Sequence, residues 1–100
     1  MTYAIHPQAE EELTQAAMFY AEHASKVIAA AFLDEFDRTV GKLVENQQCG
    51  PHCEDGLRQY HFARFPYTVI YEENETCGPQ IFAVAHQRRD PGYWRGRVLS

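Results

Sequence analysis

From Pro7 to about His23 the apolar positions fall at Ala9, Leu13, Ala16, Ala17 and Tyr20. Steps of three and four residues predict one face of an amphipathic helix. Pro7 suits the first turn of that helix. Glu10, Glu11 and Glu12 put negative charge at its start and His23 sits in its last turn, both favourable to the helix dipole. Ser25 is the expected N-cap of a second helix running from about Lys26 to Glu45. Its main stripe is Ile28, Phe32, Phe36, Val40 and Leu43, widened by Leu33 and Val44, while Asp34, Asp37, Arg38 and Lys42 face elsewhere. Two helices joined by about two residues make an antiparallel hairpin.

Beyond a polar loop, residues 46–56, the period changes from 3.6 to 2. In the stretch Arg58–Phe65, Tyr60, Phe62 and Arg64 alternate with Gln59, His61 and Ala63, and Pro66 ends the run. Tyr67–Glu73 follows, with Tyr67, Val69 and Tyr71 on one face. After a turn at 74–78, Gln80–His86 sets Phe82, Val84 and His86 against Ile81, Ala83 and Ala85. Short connections between these strands predict an antiparallel meander. Thr2–Ile5 adds a short strand to the same sheet, and Asp90-Pro91-Gly92 separates the last strand from a tail, Tyr93–Leu99, of one helical turn. The predicted order is β-α-α-β-β-β. This is an α+β fold in which a helical hairpin covers one face of a small, mainly antiparallel four-stranded sheet.

Composition narrows the class. One hundred residues, 45% of them apolar, build one domain over 1–100 and not two. The longest apolar run, Val27–Leu33, is too short to span a membrane, so no membrane partner is expected. The first residues carry neither a basic segment nor an apolar one, so no secretory signal is expected. Three cysteines do not suggest a disulfide scaffold, and a reducing cytoplasm is the expected location. The net charge of −5 lies wholly in residues 1–50, with 8 acidic and 3 basic side chains. Residues 51–100 hold 6 of each, and every base among them is Arg. A pI near 5.4 argues against a free-standing nucleic-acid binder. A local Arg cluster still suits an anionic partner.

Candidate chemistry is sparse. Cys49, His52, Cys53 and Cys77 are zinc-ligand types, but the spacing of the first two cysteines is not that of a zinc knuckle, so no metal and no cofactor is expected. No strained Gly-x-Ser-x-Gly turn and no Gly-rich phosphate loop is present. His61, His86 and Arg88 are the types that cleavage of an RNA phosphodiester needs, for proton transfer and for charge stabilisation. Their strand parities differ, however. Tyr93, Trp94, Arg95 and Arg97 have the make-up of a protein–protein hot spot.

Several segments carry a family resemblance: His6-Pro7-x-Ala9-x-x-Glu12-Leu13 at the start of a helix, Arg64-Phe65-Pro66-Tyr67-x-x-x-Tyr71, and Ala83-Val84-Ala85-His86-x-Arg88-Arg89-x-Pro91-x-Tyr93-Trp94-x-x-Arg97. In this order they resemble the RelE/ParE superfamily of toxins from bacterial toxin–antitoxin (plasmid stabilisation) modules, over nearly the whole chain. RelE-like members cleave mRNA on the ribosome, whereas ParE-like members poison DNA gyrase. Both are silenced by a cognate antitoxin. RelE-like members carry Lys and Arg on the middle strands, where this chain has His61 and Thr68. Arg88 matches the Arg after the last strand, and Tyr93 or Trp94 falls near the RelE-like terminal Tyr. The resemblance thus implies a ParE-like toxin with gyrase as target and Tyr93, Trp94, Arg95 and Arg97 as the contact patch. The alternative it implies is a ribosome-dependent mRNA endonuclease using His61, His86 and Arg88.

Overall fold

The structure, a computed structural model, describes residues 2–90 and 92–98. Pro91, in the expected break before the tail, and Leu99, the tail's expected last residue, lie outside the described residues. The elements are β1 (Ala4–Ile5), α1 (Pro7–His23), α2 (Lys26–Glu45), β2 (Arg58–His61), β3 (Tyr67–Glu72), β4 (Gln80–His86) and a single turn, α3 (Arg95–Val98). The helix limits match the periodicity. Ser25 Oγ accepts the Ile28 N–H at 3.1 Å, which is the expected N-cap. At the start of α1, His6 Nδ1 plays that part for the Gln8 N–H, also at 3.1 Å.

The sheet order is β1-β4-β3-β2. β2, β3 and β4 form the antiparallel meander, and β1 joins parallel to β4, pairing Ala4 with Gln80 and Ile5 with Ile81. β4 therefore lies inside the sheet, although it is the last strand in the chain.

Two strand expectations are corrected. The run expected to reach Phe65 stops at His61, because Phe62 turns inward to pack on Phe32 and its N–H bonds to Tyr67 O across the tight turn before Pro66. The strict alternation read along β4 is broken by a bulge. Ile70 pairs with Ala83 but Tyr71 pairs with Ile81, which leaves Phe82 as the extra residue. Ile81 and Val84 thereby share the helix side, while Ala83 and Phe82 pack on the other.

The main core lies between sheet and hairpin. Phe32, Phe36, Val40 and Leu43 of α2 and Ala9 and Ala16 of α1 meet Phe62, Val69, Tyr71, Ile81 and Val84. Ile28 and Leu33, assigned to the apolar stripe by spacing, stay exposed at the margin. Tyr71 is fully buried and ties down the loop after α2: its hydroxyl donates to Gln47 O at 2.8 Å and accepts the Gly50 N–H at 3.1 Å. On the opposite sheet face a smaller cluster joins Leu57, Ile70, Ala83 and Trp94, flanked by Tyr93 and Val98. The tail thus covers part of the face that the helices leave open.

Candidate functional site

β1 is so short that it covers only the first two residues of β4, and the rest of that edge meets side chains instead. Glu12 Oε1, from the second turn of α1, accepts the Val84 N–H at 3.1 Å. Arg97 Nη1 donates to Phe82 O at 2.9 Å and to Glu12 Oε1 at 2.9 Å, while its Nη2 reaches Glu12 Oε2 at 3.1 Å. The Tyr93 hydroxyl donates to Glu12 Oε2 at 2.6 Å. Arg89 stands 3.7 Å from the same carboxylate, and its guanidinium lies 4.1 Å over the Tyr93 ring. A bidentate Arg–carboxylate pair thus stands where a longer first strand would have paired, and it ties α1 to the tail around the sheet edge. Burial, and then the Glu12 carboxylate, push the Tyr93 hydroxyl well above the usual phenol range.

Two of the four residues read as a contact patch, Tyr93 and Arg97, are spent partly on this arrangement. Tyr93 and Arg97 are half-buried and Trp94 is buried, its indole N–H meeting no acceptor among the described residues. Arg95 is exposed and pairs with Glu54 and Asp55 of the loop before β2. The tail is therefore a folded unit with named anchors. Beside Trp94 the outer sheet face forms an open groove of about 280 Å³, lined also by Gln59, His61, Thr68 and Arg89.

His61 and His86 both border that groove, yet their rings are engaged on different sides of the sheet. His61 Nδ1 lies 2.7 Å from Thr68 Oγ1 on the outer face. His86 packs edge-on against Tyr67, which belongs to the helix-facing cluster, and its Nδ1 accepts the Arg88 N–H at 3.1 Å. The Arg88 side chain is exposed and does not line the groove; Arg89 does. The structure thus brings Tyr93 and Arg97 together on Glu12, sets His61 and His86 on the rim of one groove, and leaves Arg88 outside it. Cys49 and Cys77 are exposed, Cys53 is half-buried, and all three thiols are free. Among the described residues no group of three or more His, Cys, Asp or Glu could hold a metal ion, and no helix is long and apolar enough to cross a membrane.

A second carboxylate missed in the sequence, Glu35, is buried under the β2–β3 turn. It accepts the Arg64 N–H and Nε–H, each at 3.0 Å. Burial alone would raise its pKa, but the bonds from Arg64 and from the Ala63 N–H, with the Arg64 charge, bring it below the usual carboxylate range. A pKa lower in the folded than in the unfolded chain contributes stability that is complete above the usual range and is lost as pH falls through the lowered value. Urea midpoints measured from about pH 6 down to about pH 3 should therefore drop more steeply for the wild-type chain than for Glu35→Gln. Parallel profiles would show that Glu35 contributes no such linkage.

Sequence reasoning read Glu12 as one of three acids favouring the helix start. The 81 and 85 residues that separate it from Tyr93 and Arg97 hid its role.

Comparison with known proteins agrees with this architecture. The sequence model of the ParE toxin of the type II toxin–antitoxin system, parDE, matches residues 3–91. Among solved structures, a chain of the chromosomal ParDE toxin–antitoxin system from P. aeruginosa superposes with a TM-score of 0.73 at 20% identity, over 86% of this chain and 95% of that one. No curated protein sequence matches.

Proposed function

The chain belongs to the ParE toxin family of type II toxin–antitoxin systems, and from that premise we propose that it inhibits growth by binding DNA gyrase in the cytoplasm, and that a cognate antitoxin silences it. The observation that carries the choice of a binding toxin over a nuclease is the match of the ParE toxin model over residues 3–91. His61 and His86 border one groove, but each Nδ1 is engaged locally, with Thr68 Oγ1 and with the Arg88 N–H, and the Arg88 side chain stands outside that groove, which supports the same choice. The acidic net charge also disfavours an electrostatic grip on ribosomal RNA.

The contact patch on this reading is the tail, with Tyr93, Trp94, Arg95 and Arg97. Its anchoring by Glu12, Glu54 and Asp55 supports the assignment, since a patch held in place before binding loses less freedom on docking. The antitoxin reading is supported by the apolar side chains that the hairpin leaves in water: Met18 and Phe19 on α1, and Val27, Ile28 and Leu33 on α2. The acidic first half suits a basic antitoxin segment laid across them.

Induced expression separates the readings, scored by growth, DNA breakage and mRNA cleavage, with and without the product of a neighbouring small gene. Growth arrest with DNA breakage is expected, and it should be relieved by that product. Removing residues 93–100 should abolish arrest, whereas His61→Ala combined with His86→Ala should leave it. Cleavage of ribosome-bound mRNA without DNA breakage would overturn the gyrase reading. Relief by no neighbouring product would remove the antitoxin part.

A further inference from the structure

On the flank away from the tail, α2 and the β2–β3 turn enclose a cleft of about 160 Å³. Its lining includes Arg38, Lys42, Arg64, His61, Tyr60 and Glu35. Arg38 and Lys42 are one turn apart on α2, a spacing at which like charges repel. No ion pair within 4.0 Å reaches either among the described residues, although Asp34 stands one turn before Arg38. Glu35 does not neutralise them. It is buried and already takes the backbone N–H and Nε–H of Arg64. The same bonds fix Arg64 and leave the terminal nitrogens of its guanidinium without a hydrogen bond among the described residues. Lys42 is steered to the cleft by the Tyr60 ring, whose centroid lies 5.8 Å from Nζ.

Three cations line the cleft around one carboxylate that is already bonded to Arg64, while Asp34 and Asp37 of the same helix stay outside its lining. We propose that this cleft binds the phosphate group of a small phosphorylated ligand. Two guanidinium groups match phosphate oxygens in fork geometry, and the ammonium adds a point charge. The rest of the surface argues for a small ligand, because a polyanion would meet the acidic first half outside the cleft. The inference does not depend on the toxin reading.

The test is a titration of the ¹⁵N-labelled protein, followed by amide NMR at constant ionic strength. The probes are inorganic phosphate, adenosine 5′-monophosphate and a short single-stranded oligonucleotide. Saturable shifts at Arg38, Lys42, Ala63 and Arg64 are expected with phosphate in the millimolar range. Arg38→Gln combined with Lys42→Gln should weaken binding at least about tenfold while leaving the rest of the spectrum in place. Both side chains are exposed, so the fold should survive, and Arg64→Gln gives a second variant. Equal affinity for phosphate and the nucleotide marks the phosphate group as the whole ligand. Tighter nucleotide binding with added shifts at Tyr60 marks a nucleotide, and either result supports the proposal. Shifts that do not saturate, shifts unchanged in the double variant, or an oligonucleotide bound far more tightly than the nucleotide would overturn it.

Discussion

Replacing Glu12 by alanine should cost about 3 kcal/mol of folding stability and detach the tail from the sheet. The carboxylate takes hydrogen bonds from Val84 N, Tyr93 Oη and both terminal nitrogens of Arg97. Its loss takes both carboxylate oxygens from the Arg97 side chain, which is only 11% exposed and still donates to Phe82 O. Deleting one member of such a pair costs more than the pair contributes, because the abandoned charge stays partly buried. Glu12→Gln should fall between, since its single amide oxygen can still accept the Val84 N–H. Urea unfolding gives the stability, and the fluorescence of Trp94, the sole tryptophan, reports the tail. An alanine variant with an unchanged midpoint and unchanged emission would show that the tail is held by apolar packing alone. A cycle of Glu12→Ala with Arg97→Ala isolates the pair, and a coupling above about 1 kcal/mol is expected.

Phe32→Ala should be the most damaging single change, at about 4 kcal/mol. This ring is fully buried and lies 5.1–5.5 Å, centroid to centroid, from Tyr67, Phe65, Tyr20 and Phe62. It is where α1, α2 and the β2–β3 turn meet, so no neighbour can close the space without moving an element. In a domain of this size the loss corresponds to a fall of about 15–30 °C in melting midpoint. Phe32→Leu, which refills most of the volume, should lose much less. A fall under about 5 °C for the alanine variant would mean that the hairpin is anchored elsewhere.

The sequence carried the fold well because both of its periods are strong. The α2 stripe Phe32, Phe36, Val40 and Leu43 is all buried, and the strand faces Tyr67, Val69 and Tyr71 point to the helices as read. Two failures in detail have physical reasons. The bulge at Phe82 comes from how β3 and β4 pair, and a period of two within one strand cannot register it. Ile28 and Leu33 fit the helical spacing, but each stays exposed beside a buried neighbour, Ala29 and Phe32, so the covered stripe of α2 is narrower than the spacing suggests. The site was far less legible. Tyr93 and Arg97 were singled out for their type, whereas their partner Glu12 was submerged in a run of three acids. Arg38 and Lys42 read only as facing away from the α2 stripe. Only the like-charge spacing on α2 hinted that something else must balance them.

The placement of β4 has a consequence for the order of events as the chain leaves the ribosome. The edge strand β1 and the inner strand β3 both pair to a strand at residues 80–86. A nascent chain that has exposed residues 1–75 can form its helical hairpin and the β2–β3 pair, yet it lacks the strand on which α1 rests. Contacts separated by nearly the length of the chain then close last, as their loop entropy requires. On the proposed reading of the tail as the contact patch, the half-made protein cannot yet present it, which would give the cell an interval, set by translation speed, in which this chain is being made and is still harmless.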